Sequence, residues 1–224
     1  MKKIILILVL TLVIVSCKKK RDEPVGPNLF FAEPQPINDS ELDHFPAKFR
    51  GLFMDKDSTF LRINEDIAQY EYYYKFKIHK NGLDSLKVDF NLKDGKLISK
   101  RGDVIFNISS RGDSLLLVEK DIDTLFRFSY YQKAKRINGN LILSTKDSVF
   151  WTLQNLSIEE NSLNLKNICL DDDIKKMDSV TLIKSKMLDS TSYLFKPTRK
   201  EFGRILKIKN LGYLQVFQKV KSEK

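Results

Sequence analysis

The clearest structural signal in the sequence is Tyr70-Glu-Tyr-Tyr-Tyr-Lys-Phe-Lys-Ile-His79, in which aromatic and apolar side chains alternate with mostly polar ones. A period of two places successive side chains on opposite faces of a β-strand, so one face of this strand is buried and the other meets water. Asn81-Gly82 follows directly, and Asp94-Gly95 and Asn138-Gly139 recur later. Both positions of each dipeptide tolerate positive φ, which predicts three two-residue hairpin turns.

A repeated unit extends this pattern along the chain. Asp-Ser leads directly into a run of β-branched, leucine or aromatic residues at five positions, namely Asp57, Asp84, Asp113, Asp147 and Asp178. The aspartate suits a turn because its carboxylate accepts backbone N–H groups locally, and the following run suits a half-buried strand. Successive units begin 27, 29, 34 and 31 residues apart, so each interval holds about three short strands or two long ones. We therefore predict a strand at each unit, and alternation extends the second one to Leu92.

One helix is predicted near the end of the sequence. Thr198-Arg-Lys-Glu201 has the spacing of a capping box, in which the hydroxyl and the carboxylate satisfy each other's exposed backbone donors. Apolar residues then recur on one helical face, and the helix is expected to end near Asn210, where Gly212 assists the exit. Tyr213 to Val220 has the composition of a last strand.

The predicted fold class is mainly β. Roughly ten strands would form an antiparallel meander, arranged as a barrel or a two-sheet sandwich, with one C-terminal helix. The regular spacing of Asp-Ser also permits an alternative, an open β-sheet solenoid. The period of two is common to all three arrangements, so the sequence leaves them open.

Met1 to Cys17 form a segment of a different kind. Lys2 and Lys3 precede an apolar run of 12 residues, interrupted only by Thr11, and the segment closes with Ile14-Val15-Ser16-Cys17. A helix that crosses a bilayer needs about 20 apolar residues, so this run is an export signal rather than a span.

Ile14-Val15-Ser16-Cys17 resembles the lipobox of bacterial lipoproteins, in which an aliphatic residue, a tolerant position and a small residue precede a cysteine. The resemblance implies that the Cys17 thiol receives a diacylglyceryl group and that a peptidase cleaves between Ser16 and Cys17. It also implies that the new amine is acylated, for example with palmitate. Several acyl chains, at about 0.8 kcal/mol per buried methylene, anchor a protein durably.

These features divide the chain into a signal peptide at residues 1–16, a lipidated tether at 17–38 and a single β-rich domain at 39–224. The tether contains four of the six prolines, which interrupt regular pairing. Its Leu29-Phe30-Phe31 segment is apolar and is expected to dock on the domain or on the bilayer surface. Lys18 is not the aspartate that retains some lipoproteins in the inner membrane. We therefore expect the outer membrane of the cell envelope, with the domain on the periplasmic face or the cell surface.

The charge and the cysteines limit the partners. The net charge is +10, and removal of Lys2 and Lys3 leaves +8, since 37 basic residues then face 29 acidic ones. The lysines are spread along strands rather than clustered, which together with export argues against a nucleic-acid partner. If Cys17 carries lipid, Cys169 has no disulfide partner within the chain. Between two apolar neighbours, Cys169 is expected to be a buried, inert thiol.

Few residues suggest chemistry. The chain has two histidines, His44 and His79, both expected at the surface, and with one free thiol they cannot form a zinc cluster of cysteine and histidine ligands. Neither a nucleophile elbow nor a glycine-rich phosphate loop occurs. We therefore predict a protein that is not an enzyme and that holds no cofactor or metal. Hydrolysis by two carboxylates needs no motif and stays open.

Two further motifs are predicted to be structural. Asp171-Asp172-Asp173 is the densest acidic cluster, and hard cations bind several carboxylate oxygens. It lacks the ligand spacing of an EF-hand, so we predict a solvated loop between two sheet segments. Arg101-Gly102-Asp103 and Arg111-Gly112-Asp113 repeat a tripeptide that resembles the integrin-binding motif of adhesion proteins. Each copy stands between strand-like runs, so we predict turns.

Aromatic residues offer a candidate binding site. Trp151 and the tyrosine-rich strand that begins at Tyr70 can line a barrel mouth that holds a ligand, although such residues more often fill a core. The predicted function is that of a non-catalytic accessory or scaffold protein, which acts by contact with another envelope protein. The alternative is a lipocalin-like binder of a lipid, a glycan or a small hydrophobic ligand. An envelope hydrolase that uses carboxylates is the third candidate.

Overall fold

The computed structural model describes residues 26–220. The predicted cleavage and lipidation sites at Ser16 and Cys17 lie outside the described residues, as does the predicted signal peptide. Over the described range the chain forms 16 strands, three α-helices and two short 3-10 helices, at Ala47–Phe49 and Lys80–Gly82. The predicted class, a mainly β antiparallel fold with a helix near the C-terminus, is confirmed.

The strands are β1 (Asn28–Phe31), β2 (Glu41–Leu42), β3 (Gly51–Met54), β4 (Phe60–Ile63), β5 (Ile67–His79), β6 (Phe90–Lys93), β7 (Lys96–Ser99), β8 (Ile105–Arg111), β9 (Ser114–Arg127), β10 (Gln132–Ile137), β11 (Asn140–Asp147), β12 (Phe150–Glu159), β13 (Ser162–Asn167), β14 (Lys186–Asp189), β15 (Ser192–Phe195) and β16 (Tyr213–Lys219). The α-helices are α1 (Leu83–Leu86), α2 (Asp171–Val180) and α3 (Arg199–Ile205). The sequence predicted only the third of these helices.

All strands belong to one sheet, which is antiparallel except where β1 and β15 run parallel. The sheet follows the order β14-β15-β1-β12-β13-β16-β3-β4-β5-β9-β8-β7-β6, and β11, β10 and β2 extend it from the other edge of β12. It is not closed. The arrangement that the sequence left open is therefore an open sheet rather than a closed barrel.

The largest apolar cluster lies inside a curve of this sheet. It joins buried side chains from strands that lie between β10 and β9 in the sheet order, including Phe126, Ala134, Leu143, Leu156 and Phe217. Strands so far apart in one sheet share a core only if the sheet bends around it. This concave face therefore holds the main core. Burial of each large side chain there contributes about 1.5–3 kcal/mol to stability.

Two smaller clusters complete the interior. One lies on the opposite face of β11 and β12, where β1, β15, α2 and α3 pack, and it includes Phe31, Phe195 and Phe202. The Phe31 ring lies 5.8 Å from that of Phe195 and 6.1 Å from that of Phe202. The other cluster, around Leu97 and Leu117, lies under the distal half of β5 and β9.

The strand predicted from Tyr70 to His79 is present as part of β5. β5 pairs with β9 from Ile67↔Arg127 to His79↔Ser114, which is the longest pairing of the sheet. The predicted turns at Asp94-Gly95 and Asn138-Gly139 are confirmed, with φ of 50° and 71° in the first and 50° and 82° in the second. The turn predicted at Asn81-Gly82 is wrong, because Lys80–Gly82 is a 3-10 helix that leads into α1.

The second repeat unit also differs from the prediction. After Asp84 the chain forms α1 and a turn, and a strand begins only at Phe90. Leu83 and Leu86, three residues apart, both pack against the cluster of Leu97, and residues at this spacing share one face of a helix. Helical spacing thus partly buries Leu86, which alternation had assigned to a strand, together with Leu83.

Of the other four repeat units, three lead into strands and one lies in a helix. Strands follow Asp57, Asp113 and Asp147 as predicted. The strand predicted at Asp178 is wrong, because this residue lies in α2, and the solvated loop predicted at Asp171–Asp173 is the first turn of that helix. The cause is the buried carboxylate of Asp173 in that turn, which accepts from the Leu170 backbone N–H.

The folded part of the chain begins earlier than residue 39. Within the predicted tether of residues 17–38, Leu29 and Phe31 are buried, and β1 pairs with β15 along its length and with β12 at Trp151. Lys135 Nζ donates to the carbonyl oxygens of Pro34 and Pro36, at 3.2 and 3.1 Å. The predicted end of the tether at residue 38 is therefore too late, because the folded domain already includes β1. Burial of Leu29 and Phe31 stabilises this strand although prolines on both sides interrupt regular pairing.

The C-terminal helix begins with the predicted capping box. The Thr198 hydroxyl accepts from the Glu201 backbone N–H at 3.3 Å, and the Glu201 carboxylate accepts from the Thr198 backbone N–H at 2.8 Å. The helix ends at Ile205, earlier than the predicted Asn210. The last strand, β16, is confirmed.

Candidate functional site

A groove of about 940 Å³ opens where β12 changes its neighbour on one edge. On that edge β12 pairs with β1 at Phe31↔Trp151, and its pairing with β13 begins at Gln154↔Asn167. The two neighbours diverge between these points. Sites for small molecules typically have volumes of about 300–1,000 Å³, so the groove is large enough to hold a ligand.

One wall of the groove is a row of polar side chains on three adjacent strands. Gln132 faces Thr145, and Thr145 faces Thr152, in the registers of β10 with β11 and of β11 with β12. Directly opposed residues of antiparallel strands point to the same face. Gln132 Nε2 donates to Thr145 Oγ1 at 3.2 Å, and Thr152 Oγ1 donates to the Thr145 carbonyl oxygen at 3.3 Å.

A second polar pair continues this wall. Gln154 lies two residues after Thr152, hence on the same face, and its Nε2 donates to Asn167 Oδ1 at 2.9 Å. The next registered pair on this face is Leu156 and Leu165, both fully buried in the main core. The concave face is therefore apolar at its centre and carries amides and hydroxyls at one end.

The opposite wall comes from β5 and β9. Tyr70 and Tyr72 occupy successive positions of one face of β5, and their ring centroids are 6.2 Å apart. Asp123 faces Tyr70 in the register of β9, and Thr124 also lines the groove. Tyr70 is buried in the main core, whereas Tyr72 is half-buried. The tyrosine-rich strand thus contributes to a pocket, as the sequence suggested.

The lining is nearly without charge. Among the described residues that line the groove, Asp123 is the one ionisable carboxylate, and none is a lysine or an arginine. The whole chain has 39 lysines and arginines. A wall of this kind offers no cation to an anionic ligand, and it presents amide and hydroxyl groups that both donate and accept.

Trp151 does not belong to the groove. It precedes Thr152, so its side chain points to the opposite face of β12, where it is buried in the cluster of Phe31. The Nζ of Lys146 lies 5.8 Å from its ring centroid. Trp151 therefore fills a core, which is the more common of the two placements that the sequence left open.

Cys169 lies at the edge of the groove and is half-buried, so it is more accessible than predicted. Its thiol lies 3.8 Å from the Asn167 carbonyl oxygen. His44 and His79 are both exposed, as expected. His79 Nδ1 accepts from the Asn81 backbone N–H at 3.2 Å, which uses this ring in a local turn.

The acidic cluster is a structural feature of α2. Asp173 is fully buried, and its carboxylate accepts from the backbone N–H groups of Cys169, Leu170 and Gly212 at 3.1, 2.9 and 2.9 Å. These bonds satisfy donors at the start of the helix. Within residues 26–220 no group of three or more histidine, cysteine, aspartate or glutamate side chains has an arrangement that holds a metal ion. Both Arg-Gly-Asp tripeptides form turns as predicted, with positive φ at Gly102 and Gly112.

The strongest electrostatic feature lies on the other face of β5, away from the groove. Only 4% of the Glu71 side chain is exposed, and its carboxylate contacts Arg62 Nε at 2.6 Å, Lys120 Nζ at 3.1 Å and the Tyr73 hydroxyl at 3.0 Å. Burial alone would raise the pKa of Glu71. Hydrogen bonds from Arg62, Lys120 and Tyr73 outweigh it and lower that pKa to about 2. The sequence showed only an alternating polar residue here, because the partners come from three strands.

Comparisons of the chain with protein-family models, with curated proteins and with solved structures give no match. Among the described helices, none is both long enough and apolar enough to cross a membrane.

Proposed function

We propose that this protein is a lipid-anchored lipoprotein of the cell envelope that binds a ligand in the groove between β5 and β12. The observation that carries the proposal is the groove itself, about 940 Å³ in volume and lined by convergent amide and hydroxyl groups with two tyrosines. Of the functions that the sequence allowed, the groove supports a ligand-binding protein rather than a scaffold protein. The open sheet differs from a closed lipocalin barrel, but the ligand site lies at the same kind of place, one end of a concave β-sheet.

The groove suits binding better than catalysis. Its described lining offers one carboxylate, Asp123, and one thiol, Cys169, with no histidine beside them. Hydrolysis by carboxylates requires two such groups about 5–10 Å apart, and activation of a thiol requires an adjacent base or cation.

The position of the groove fits attachment at Cys17. Pro27 and Asn28 line the groove, so it opens where the N-terminal segment enters the fold. Eight residues lie between Cys17 and Gly26, and this part of the chain can extend over at most about 30 Å. A lipid on Cys17 would hold the groove close to the membrane, in the outer membrane by the argument from Lys18.

The anchor is tested separately from the binding. Cys17→Ala should abolish fatty acylation and release the protein from membranes washed with carbonate. A variant that stays in the membrane fraction after this wash would show that the assignment of Cys17 is wrong. Lys18→Ala, which keeps the lipobox, is the matched control and should remain acylated.

The binding is tested by native mass spectrometry of the protein extracted in mild detergent from its own membranes. We expect a retained molecule that is lost when Gln154→Met removes an amide of the groove. The same spectrum from Gln218→Met, an exposed amide on β16, should keep it. A protein that retains nothing, and that binds none of the probes described below, would refute the role as a binder.

A contact role is the second candidate, and a specific surface favours it. Leu182, Ile183 and Met187 are 86%, 66% and 59% exposed, and Met187 lies in β14, an edge strand. Exposed apolar side chains grouped in one segment are typical of protein contacts. If this surface binds an envelope protein, Ile183→Lys should abolish its co-purification while Gln154→Met should not.

A further inference from the structure

We propose that the ligand of the groove is an uncharged carbohydrate. This inference rests on the proposed binding function and specifies the chemical class that the groove accepts. It follows from three properties of the lining, namely its charge, its hydrogen-bonding groups and the placement of its aromatic and apolar side chains.

The charge of the lining excludes acidic ligands. The described lining contains no lysine or arginine, although 39 of the 224 residues are of these two types. Phosphate, sulfate and carboxylate groups are recognised by cations or by charge-assisted hydrogen bonds. Asp123, the one charged group of the lining, repels anions. A neutral molecule meets no such barrier.

The hydrogen-bonding groups of the lining match hydroxyl groups. Gln132, Gln154 and Asn167 carry amides that each donate and accept, and Thr145 and Thr152 carry hydroxyls that do the same. The five side chains occupy one continuous face across β10, β11, β12 and β13. A sugar presents donors and acceptors at short, regular intervals, so one molecule can satisfy several of these groups at once.

The aromatic and apolar groups distinguish a sugar from a lipid. Tyr72 is half-buried and lies on the wall opposite the amides, where its ring can pack against the C–H face of a sugar. Three apolar residues of the lining, Leu29, Leu153 and Ile168, are 5%, 7% and 9% exposed. These side chains belong to the neighbouring core, and with the half-buried Leu125 the lining exposes polar and apolar surface in about equal measure. Such a mixed surface suits the hydroxyl groups and C–H face of a sugar better than an acyl chain.

The test uses the purified full-length lipoprotein in detergent and an array of neutral, acidic and sulfated glycans, with palmitate in a parallel titration. We expect binding to at least one neutral glycan and none to its sulfated counterpart. Calorimetry with that glycan should show affinity at least about 10-fold weaker for Gln154→Met, Thr152→Val and Tyr72→Ala. One lost hydrogen bond with a desolvated partner group has an effect of that size.

Matched controls separate contact with the glycan from general damage. Gln218→Met and Tyr74→Ala change the same residue types outside the groove lining and should bind as wild type does. Tyr72→Phe keeps the ring and should lose less affinity than Tyr72→Ala. Each variant is also checked by urea denaturation, so that a loss of folding is recognised.

The outcomes distinguish this inference from the function on which it rests. Retention of palmitate or of an acidic glycan, with loss in Gln154→Met, would overturn the carbohydrate and keep the binding site. Neutral-glycan binding that survives all three groove substitutions would place the carbohydrate elsewhere and overturn the inference. Failure of every probe, with no molecule in the native mass spectrum, would overturn both.

Discussion

The buried ion cluster of Glu71 allows a quantitative prediction about stability. Lowering the pKa of Glu71 from 4.5 to about 2 means that the folded protein favours the ionised side chain. Since one pKa unit corresponds to about 1.36 kcal/mol, this preference is about 3 kcal/mol. We therefore expect Glu71→Gln to reduce the free energy of unfolding by about 2–3 kcal/mol at pH 7, because glutamine keeps the shape and removes the charge.

The loss should depend on pH in a defined direction. The folded-state pKa of Glu71 is lower than the unfolded one, so its contribution is fully present above pH 4.5 and is lost as the pH falls towards 2. The free energies of unfolding of the wild type and the variant should therefore converge between about pH 5 and pH 2. Arg62 and Lys120 are 38% and 36% exposed, so the variant leaves both cations in contact with water.

The assay is urea denaturation followed by the fluorescence of Trp151, the one tryptophan of the chain, at several pH values from 7 to 3. Glu65→Gln is the control, because Glu65 also pairs with an arginine, Arg50, but is 68% exposed. An exposed pair of this kind contributes about 0–1 kcal/mol. A difference between wild type and Glu71→Gln that stays constant from pH 7 to 3, or that does not exceed the effect of Glu65→Gln, would refute the reasoning.

Three further substitutions test single contacts by the same denaturation assay. Thr198→Ala removes the hydroxyl of the capping box and should lower the free energy of unfolding by about 1 kcal/mol; no change would mean that the cap is dispensable. Gly212→Ala, at φ of 71°, puts a Cβ against a backbone carbonyl oxygen, whereas Gly95→Ala has the same φ and open space. The first should therefore lose more than about 1 kcal/mol and the second less, and equal losses would contradict the close approach. Asp173→Asn replaces one oxygen of a buried carboxylate by an NH2 group, so the side chain can no longer accept from all three backbone N–H groups. It should cost about 1–3 kcal/mol, with faster hydrogen exchange in α2; unchanged exchange would argue against its role there.

The local elements of this fold could be predicted where the sequence contains a complete local signal. Alternation specified β5. The dipeptides Asp94-Gly95 and Asn138-Gly139, whose residues tolerate positive φ, specified two hairpins. The Thr198–Glu201 spacing specified the start of α3. Each of these signals acts within a few residues, so no distant part of the chain has to be known.

The repeat unit was less reliable because Asp-Ser followed by leucines fits both a turn and a first turn of helix. At Asp84 and Asp178 the helix prevails. At the first site, apolar residues three apart pack on a neighbouring cluster. At the second, the carboxylate of Asp173 satisfies donors around the helix start. The first cause involves the cluster of Leu97 and Leu117, and the second also involves the Gly212 backbone N–H, which donates to Asp173. A short pattern does not contain such distant partners.

The groove could be predicted only in part. The tyrosines of β5 were identified as candidates, but the amides and hydroxyls of β10 to β13 alternate with apolar residues as solvent-facing positions do. Only the register shows that Thr152 and Gln154 point to the concave face and that Trp151 points to the opposite face, into the second core cluster. The sequence does contain one usable signal, which is the alternation along β12. Thr152, Gln154 and Leu156 lie on one face of this strand, and Leu156 is a core residue.

The parallel pairing of β1 with β15 has a mechanical consequence. In the proposed arrangement, drag on the protein is transmitted from the membrane to Asn28, the first residue of a strand that is held on both edges. A pull along that strand strains its four registered pairs with β15 together, instead of opening them one after another as a pull at a hairpin end would. The strand thus resists shear with all four pairs at once, and the load enters at Pro27 and Asn28, which also line the groove.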